Sequence, residues 1–455
     1  MVAAAVTLDS RHATPGSVFI SVVDDEELSA SHLAQARACG AVAIGPHGAD
    51  AAVTVADPAA AAAALACAYY RHPSRELTVI GVTGTNGKSS VTHLLGGLLS
   101  RLGARVGTIG TIGITFDGAD VDIARRTPTT PESTDLQHLL RRFVDDGATH
   151  VVMEASSIAL AERRLDGTAI SVGCFTNLTH DHLDVHGSLA AYEEAKLRLF
   201  DLSRHGVANA DDRVGRRIRR QWPDARTYGL HGPADITASG LRGTRSGTAF
   251  GVHLDDQTID ASVRGRGQLS VLNALAALAT VNSLGTTLEE AVAALAEVPG
   301  PPGRMQIVPA DQPFTIMIDY AHSPDALQQV LSTLRPSVNG RLITVFGCGG
   351  DRDSSKRPVM GRVATELSDE VIITTDNPRT EDPQQIIAEI LSGTVGDADQ
   401  VRSVVDRTDA IATALELARS GDLVLIAGKG SESYQIVGHE QRPYSDERAV
   451  RALLR

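Results

Sequence analysis

The chain has 455 residues, of which 42% are hydrophobic, so it is long enough for roughly two to four domains with sizeable cores. Its formal net charge of −13 argues against a general nucleic-acid or anionic-membrane binder, while a local basic pocket stays compatible with it. The four cysteines are scattered without a C-x-x-C pair, and neither a signal-peptide core nor an apolar run of about 20 residues is present. These features predict a reduced, cytoplasmic protein without a membrane span.

Residues 1–75 are predicted to form a small α/β domain. The pattern indicates strands at 17–22 and 41–44, helices at 30–39 and 58–70, and a linker at 72–74. The second helix is alanine-rich, which favours a helix over a low-complexity tail.

The second predicted domain, residues 76–299, opens on a glycine-rich turn. An apolar run at 77–80 precedes Gly81-Val-Thr-Gly-Thr-Asn-Gly-Lys-Ser-Ser90, and a helical pattern follows. Strand, glycine-rich turn and helix in this order are the context of a phosphate-binding loop, since backbone N–H groups and the helix N-terminus attract an anion. We assign the nucleotide phosphates to Gly84, Thr85, Asn86, Gly87, Lys88, Ser89 and Ser90. Within that set Lys88 would meet the β- and γ-phosphates and Ser89 would ligate Mg²⁺. The chain is therefore predicted to bind ATP or a similar nucleotide. The alternative is a glycine-rich turn without a ligand.

Three further features of this domain bear on a metal. Glu154 ends the predicted strand 150–154 and is well placed to hold Mg²⁺, whereas an exposed strand-end glutamate is the alternative. The segment 176–187 carries three histidines, among them His182, which is predicted to give a nitrogen ligand to a second Mg²⁺; zinc and a ligand-free polar loop are the rival interpretations. Lys196 lies in a helical pattern, where the ordinary expectation is a solvated surface lysine.

The third predicted domain, residues 300–455, follows the Pro- and Gly-rich linker 299–303 and repeats the βα alternation. Strands are predicted at 315–318, 341–346, 370–374 and 422–427. Ligands of open α/β sheets bind beyond the carboxyl ends of such strands, which makes Asp319, the loops 347–352 and 376–379, and Gly428 candidate site positions. The arginines of these loops suit an anionic ligand. The alternative is that they form ion pairs that only stabilise the loops. The predicted class is α/β with three domains: a P-loop central domain on a mostly parallel sheet and a Rossmann-like C-terminal domain beside the N-terminal one.

Together these motifs resemble the Mur ligase family, over nearly the whole chain from about residue 76. The motifs are T-G-T-N-G-K-S (83–89), M-E-x-S-S (153–157), F-T-N-L (175–178), Y-E-x-A-K (192–196), D-Y-A-H-S-P (319–324), G-C-G-G-D-R-D (347–353), D-N-P-R (376–379) and G-K-G-x-E (428–432). D-N-P-R resembles the signature of the members that add meso-diaminopimelate to UDP-N-acetylmuramoyl-L-alanyl-D-glutamate in peptidoglycan synthesis.

The resemblance implies a mechanism and a set of residues. ATP would phosphorylate a substrate carboxylate, and an amine would attack the acyl phosphate to leave an amide, ADP and phosphate. It implies Lys88, Lys196 and His322 as catalytic; Ser89, Glu154, His182 and a carbamylated Lys196 around Mg²⁺; and Asn273, Arg304 and Asp319 at the nucleotide. It implies Ser10, Thr129, Thr130, Ser156 and Arg164 at the muramoyl dipeptide, and Arg352, Asn377, Arg379, Gly428 and Glu432 at the amino acid. The partners are thus small molecules, a nucleotide-linked muramoyl dipeptide and a diamino acid, and we expect a monomer.

Several positions depart from the family pattern. Ile158 replaces a histidine, Glu162 a glutamine, Val185 a tyrosine and Ser431 a histidine, and the segment 24–31 is atypical. These changes lie mostly on the substrate side, so a paralogue that joins another carboxylate and amine is the alternative enzyme. A non-catalytic binding homologue is the remote alternative. The presence of Lys88 and Lys196 argues against it.

Overall fold

The computed structural model describes residues 3–121, 123, 127, 129–179, 181, 183–244 and 247–454. They divide into two compact units, the first Met1–Ala238 with Val252–Ile259 and Asn273–Glu297, the second Ser239–Gly251 with Asp260–Leu272 and Val298–Arg455. Among the described residues, no helix is both long and apolar enough to cross a bilayer.

The N-terminal part of the first unit is a small parallel sheet with two helices. Its elements are β1 (Val6–Thr7), β2 (Val18–Ile20), α1 (Glu26–Ala38), β3 (Val42–Pro46), β4 (Val53–Val55) and α2 (Pro58–Tyr69). The sheet order is β1-β2-β3-β4, with every pair parallel. Helix α2 forms where the composition predicts it, because Asp57 caps its N-terminus by accepting from the Ala60 N–H and Pro58 occupies the first turn.

A larger sheet with its helices follows. It belongs mainly to the first unit, while the stretches 239–251 and 260–272 of its elements belong to the second. Its elements are β5 (Thr78–Thr83), α3 (Lys88–Arg101), β6 (Val106–Ile109), β7 (Ile114–Phe116), β8 (Ala119–Asp120), α4 (Ser133–Asp145), β9 (His150–Glu154), α5 (Ser157–Ala161), β10 (Ile170–Phe175), α6 (Leu183–His186), α7 (Leu189–Asp201), β11 (Ser203–Asn209), α8 (Arg213–Gln221), β12 (Arg226–Gly229), β13 (Ile236–Gly243), β14 (Thr248–Leu254), β15 (Gln257–Val263), α9 (Gly267–Ser283) and α10 (Leu288–Ala296). The order β12-β11-β10-β5-β9-β6 is parallel throughout, and β7 and β8 continue it antiparallel. The strand that leads into the glycine-rich turn, β5, therefore lies in the middle, covered on both faces.

The second unit carries a six-stranded sheet. Its elements are β16 (Gln306–Val308), β17 (Thr315–Asp319), α11 (Pro324–Leu334), β18 (Leu342–Phe346), α12 (Lys356–Leu367), β19 (Glu370–Ile373), α13 (Pro383–Leu391), β20 (Val401–Ser403), α14 (Arg407–Leu417), β21 (Leu423–Ala427), β22 (Tyr434–Val437), β23 (Glu440–Pro443) and α15 (Asp446–Leu453). The order is β16-β17-β21-β18-β19-β20, and all pairs but β16 with β17 are parallel. Strands β22 and β23 form a separate antiparallel hairpin.

The predicted class, α/β with mostly parallel sheets, is confirmed. The predicted three-domain division stays a prediction. In both units the loops with the candidate chemistry follow the carboxyl ends of parallel strands, where such sheets bind ligands.

Candidate active site

The turn after β5 has the backbone geometry of an anion cradle. Gly84 has a φ of +146° and Gly87 a φ of +87°, conformations that favour glycine. A Cβ on Gly84 would lie 1.8 Å from the Thr176 hydroxyl oxygen, so the close approach also excludes any side chain there. Helix α3 begins at Lys88 and points its N-terminus at the turn, which suits a phosphate.

The ammonium of Lys88 lies inside this turn. Its Nζ donates to the Gly84 and Thr85 carbonyl oxygens, both at 2.9 Å. These contacts place the cation within the loop, and its contact with the β- and γ-phosphates stays a prediction. The neighbouring hydroxyl, on Ser89, is buried in the first turn of α3.

The segment after β10 braces the turn. The Thr85 N–H donates to the Asn177 carbonyl at 2.8 Å, and the Asn86 N–H donates to Asn177 Oδ1 at 2.9 Å. The Thr176 hydroxyl donates to the Asn86 carbonyl at 2.6 Å. Asn273 of α9 lies on the other side, since its Oδ1 would be 2.7 Å from a Cβ on Gly87. The hydrogen bonds that hold the loop thus come from residues about ninety positions away in sequence.

Lys196 is buried, so the expectation of a solvated surface lysine is wrong. Its side chain is 1% exposed, and Nζ donates to the Gly84 carbonyl at 2.8 Å. Burial, reinforced by the nearby charge of Lys88, lowers the pKa of Lys196 well below that of an ordinary lysine, and Asp181 opposes this only in part. Its surroundings therefore favour the neutral form of the Lys196 amine, directly beside the predicted phosphate loop.

Tyr192 links Lys196 to the loop and was not singled out from the sequence. The Lys196 Nζ lies 4.2 Å from the centroid of its ring, and its hydroxyl is 3.1 Å from the Thr85 hydroxyl. Burial raises the pKa of Tyr192 to about 12, so it stays a neutral phenol. The i, i+4 spacing of Tyr192 and Lys196 on α7 was the available signal, because residues four apart share a helix face.

Glu154 is also buried, at 1% exposed, which contradicts the exposed alternative. It pairs in register with Val82 of β5, so it lies beside the strand that carries the loop. Its Oε1 accepts from the Thr111 N–H at 2.7 Å, and its Oε2 accepts from the Thr111 hydroxyl at 3.3 Å. These carboxylate oxygens, with the Ser89 hydroxyl, are the hard donors that Mg²⁺ prefers. His182 lies outside the described residues, and within these no three acidic, His or Cys side chains converge as a metal site.

Four of the residues predicted at the muramoyl dipeptide form one connected group in the first unit. The Thr130 hydroxyl donates to the Glu154 carbonyl at 2.8 Å and lies 3.2 Å from the Ser156 hydroxyl. The Thr129 hydroxyl lies 3.0 Å from the Thr111 hydroxyl. Arg164 joins the group by donating from Nη1 to the Thr130 carbonyl at 3.0 Å.

Arg164 is held between two carboxylates. Its Nη2 lies 3.0 Å from Glu132 Oε1 and 2.5 Å from Glu162 Oε2, and its side chain is 13% exposed. Glu162, where the family pattern has a glutamine, is therefore a direct ion-pair partner of Arg164, a residue predicted to bind the substrate.

A cleft of about 910 Å³ adjoins Arg164 within the first unit. Its lining includes Ser10, Arg11, Gln35, Arg163 and Arg164. The Ser10 hydroxyl, predicted at the substrate, donates to Gln35 Oε1 at 2.7 Å. The arginines of the cleft are paired with carboxylates: Arg11 with Asp9 at 2.8 Å, and Arg163 with Asp57 at 2.8 Å.

In the second unit Asp319, Arg304 and His322 lie close together at the end of β17. Asp319 is buried and accepts from the Met305 and Ala321 N–H groups at 2.7 and 2.8 Å. Burial raises the pKa of Asp319, while Arg304 and the two N–H donors oppose the rise. The Arg304 guanidinium lies 4.4 Å from the centroid of the Tyr320 ring. The Nδ1 of His322 is 2.8 Å from the Tyr320 carbonyl oxygen.

The predicted amino-acid pocket is assembled from three loops of the second unit. Asn377 donates from Nδ2 to Glu432 Oε2 at 3.0 Å. Arg379 has a φ of +52° and donates from Nη1 to the Gly350 carbonyl at 2.7 Å. Gly428 has a φ of +116° and donates its N–H to the Asp319 carbonyl at 3.0 Å, which connects this pocket to the Asp319 cluster. Arg352 is exposed and contacts only its neighbour, the Asp351 carbonyl, at 3.0 Å among the contacts described.

Comparison with known proteins decides the family. Residues 82–281 match the Mur ligase middle domain, and residues 303–430 match the Mur ligase, glutamate ligase domain. The UDP-N-acetylmuramoyl-L-alanyl-D-glutamate–2,6-diaminopimelate ligase of Thermosynechococcus vestitus is 41% identical, covering 98% of this chain and 92% of that protein. This chain belongs to the Mur ligase family. It is an enzyme of the ligase class, as the motifs predict.

Two further similarities agree with this Mur ligase assignment. The ligase of the same name from Synechococcus elongatus is 40% identical over 98% of this chain and 93% of its own. A solved structure of a UDP-N-acetylmuramoyl-L-alanyl-D-glutamate–2,6-diaminopimelate ligase is 34% identical with a TM-score of 0.74, covering 99% of this chain and 94% of that one.

Sequence reasoning missed the residues of this Mur ligase that hold others in place. Thr111 orients Glu154, Tyr192 contacts Lys196, and Lys429 contacts Asn377. Lys429 lies within the G-K-G-x-E motif, but the local sequence does not indicate that its side chain is buried.

Proposed function

We propose that the protein uses ATP to join meso-2,6-diaminopimelate to UDP-N-acetylmuramoyl-L-alanyl-D-glutamate in peptidoglycan precursor synthesis. The relatives named for this activity with 2,6-diaminopimelate, at 40 to 41% identity over nearly the full chain, support the assignment. We further propose that it acts in the cytoplasm and as a monomer.

The proposal depends on the predicted amino-acid pocket of the second unit. We call it the acceptor pocket, because the amino acid is the acceptor of the acyl group. A diamino diacid presents an ammonium and a carboxylate at each end, so it needs an anion and a fork-shaped cation within one pocket. Asn377 and Glu432 are hydrogen-bonded at 3.0 Å, and Arg379 stands two residues after Asn377 on the same loop. A guanidinium pairs with a carboxylate through two parallel hydrogen bonds, which lysine cannot reproduce. The Glu432 carboxylate suits the ammonium.

The chemistry that we propose is acyl-phosphate formation followed by attack of the amine. Lys88 and the α3 N-terminus would bind and orient the phosphates, and Arg164 would hold the acyl donor near Ser156 and Thr130. Ser89, Glu154, His182 and a carbamylated Lys196 would hold Mg²⁺, which neutralises phosphate charge when bound. The nucleotide contacts that we propose are Asn273 in the first unit and Arg304 and Asp319 in the second, where His322 lies close to Asp319. The depressed pKa of Lys196 supports carbamylation, because only a neutral amine reacts with CO₂.

The deciding experiment measures ADP release by the purified protein with ATP and Mg²⁺. The muramoyl dipeptide and meso-diaminopimelate are supplied together and singly, and the product mass is determined. Turnover that requires both substrates and yields the tripeptide is expected. Absence of turnover in the presence of ATP binding would contradict this substrate pair.

A second candidate, a paralogue with another carboxylate donor, is favoured by the charge of the large cleft. Asp9, Asp24, Asp57, Glu132 and Glu162 line it, so a nucleotide-sugar donor, itself anionic, would meet carboxylates there. The same assay with donors that lack the UDP group separates the two candidates.

Replacing Glu162 with glutamine is expected to lower the KM for the muramoyl dipeptide by about two- to five-fold, because Arg164 would lose one of its two carboxylate partners. The KM for ATP should not change. Stability should change by no more than about 0.5 kcal/mol, since Glu162 is half-exposed. An increase in the donor KM would mean that Glu162 itself helps to hold the donor.

Replacing Arg379 with methionine is expected to raise the KM for meso-diaminopimelate about 10- to 100-fold through the loss of a charge-assisted pair. Arg379→Lys should recover only part of this loss, because an ammonium lacks the fork. Arg442→Met in the nearby hairpin, an exposed arginine paired with Glu440, serves as the control and should leave the KM unchanged. Equal KM values in Arg379→Met and the control would remove Arg379 from the acceptor pocket.

A further inference from the structure

Lys429 is a buried cation to which the proposed reaction gives no part. Its side chain is 0% exposed, and it follows β21 between two glycines. Its Nζ donates to Glu432 Oε2 at 2.8 Å and to Asn377 Oδ1 at 3.1 Å, and lies 5.7 Å from the centroid of the Tyr434 ring. A buried ammonium is costly unless it is paired and hydrogen-bonded. All the hydrogen-bonding contacts described for it are with residues of the proposed acceptor pocket.

These contacts determine which way round the Asn377 amide lies. Its Oδ1 accepts from Lys429 Nζ and, at 2.9 Å, from the Ile436 N–H. An ammonium and a backbone N–H are donors only, so the atom that faces them must be the oxygen. The amide nitrogen is then directed at Glu432, which it contacts at 3.0 Å. One N–H of that nitrogen is used by Glu432, and the second can serve a ligand.

The same lysine organises the Glu432 carboxylate. Oε2 accepts from both Lys429 and Asn377, while no donor to Oε1 is found among the described residues. The carboxylate is 20% exposed, in contrast to its buried partner. One oxygen is therefore held by the protein, and the other is left to accept from a ligand.

We propose that Lys429 is a positioning residue of the acceptor pocket. It fixes the amide of Asn377 and the carboxylate of Glu432 in the orientation that receives one end of the diamino diacid, and it acts through these two residues without touching the substrate. This inference rests on the proposed function, whose acceptor it concerns.

The test is steady-state kinetics of Lys429→Met in the full chain, with each substrate varied in turn. Methionine keeps the approximate length but removes the charge and the donors. The KM for meso-diaminopimelate is expected to rise about 10- to 100-fold, the effect of losing hydrogen bonds to charged groups. The KM values for ATP and for the muramoyl dipeptide should stay within about two-fold. The matched control is again Arg442→Met, which removes an exposed cation from the β22–β23 hairpin and should change none of the three.

A double-mutant cycle separates positioning from a general structural role. In a Glu432→Gln background, Lys429→Met should raise the acceptor KM by a smaller factor than in the wild-type chain, because one of the two residues that it orients is already changed. An undiminished effect in that background overturns the proposal. So does an unchanged acceptor KM, or a uniform deterioration of all three KM values.

Lys429→Gln, which keeps one donor group, is the second variant if methionine prevents folding. It is expected to raise the acceptor KM about ten-fold, and an unchanged value again overturns the proposal. If the wild-type enzyme does not use meso-diaminopimelate at all, the proposed function fails and this inference with it. Wild-type turnover with unaltered KM values in both variants overturns the positioning role alone.

Discussion

Replacing Lys196 with methionine is expected to lower kcat about 100- to 1,000-fold while the protein remains folded. The side chain is buried with its nitrogen 2.8 Å from the Gly84 carbonyl, so methionine fills similar space without the amine. Loss of the amine removes the proposed carbamate, and with it an anion for Mg²⁺. Single-turnover kinetics and thermal melting of both proteins measure the two parts of this expectation. Retention of more than a tenth of the wild-type kcat would remove Lys196 from the catalytic machinery.

Carbamylation itself has a separate readout. Wild-type protein in ¹³C-bicarbonate should show a carbamate carbonyl resonance that is absent from Lys196→Met. Removal of CO₂ should lower wild-type activity and leave the residual activity of the variant unchanged. A wild-type rate that is indifferent to CO₂, with no resonance, would show that Lys196 works as the free amine.

The depressed pKa of Lys196 should also affect how the free energy of unfolding depends on pH. The pKa of Lys196 is depressed in the folded chain, whereas in the unfolded chain it returns to about 10.5, so the unfolded state binds the proton more tightly. The free energy of unfolding contributed by this group therefore rises with pH between the two pKa values and is lower at more acidic pH. Lys196→Met should show a smaller increase of unfolding free energy with pH in urea titrations.

Gly84→Ala is expected to abolish ATP binding within the measurable range and to destabilise the protein. The φ of +146° costs an alanine about 1–3 kcal/mol, and the new Cβ would lie 1.8 Å from the Thr176 hydroxyl oxygen, which itself holds the Asn86 carbonyl. Nucleotide titration calorimetry and thermal melting are the measurements.

Gly103→Ala is the matched control, since Gly103 lies just beyond the other end of α3. Its φ is +88°, but a Cβ there meets nothing within 4 Å. It should cost roughly 1 kcal/mol of strain and leave ATP binding unchanged. If both variants lose nucleotide equally, backbone strain alone, and not the approach of Thr176 to Gly84, determines the effect.

The parts of the fold that could be predicted from sequence are the strands buried on both faces. β9 and β21 are continuous apolar runs because helices or loops cover both sides of a parallel sheet, and their predicted positions agree with the structure to about one residue. β11 begins with Ser203-Arg-His and β23 is exposed throughout, so neither carries such a run. Their strand character comes from pairing with neighbours, which a local pattern does not contain.

The candidate site also has features that could be predicted from the sequence and features that could not. The phosphate loop was predictable because its chemistry lies within ten consecutive residues flanked by a strand and a helix. The burial of Lys196 and Glu154 was not, because it depends on Gly84 and Thr111, which are far away in sequence. The left-handed backbone at Arg379 was likewise hidden, since arginine seldom adopts it.

The two carbonyl contacts of Lys88 have a consequence for how a nucleotide would bind. The loop is already folded around its own ammonium, so an entering phosphate would replace the carbonyl groups of Gly84 and Thr85 as the acceptor for Lys88. Preorganisation of this kind spares most of the conformational entropy that binding otherwise costs. It also sets a threshold, because a ligand must compete with two backbone dipoles for the lysine. Di- and triphosphates, with their concentrated charge, would meet that threshold more readily than a monophosphate or a nucleoside, so we expect the loop to favour ligands by the strength of the incoming acceptor.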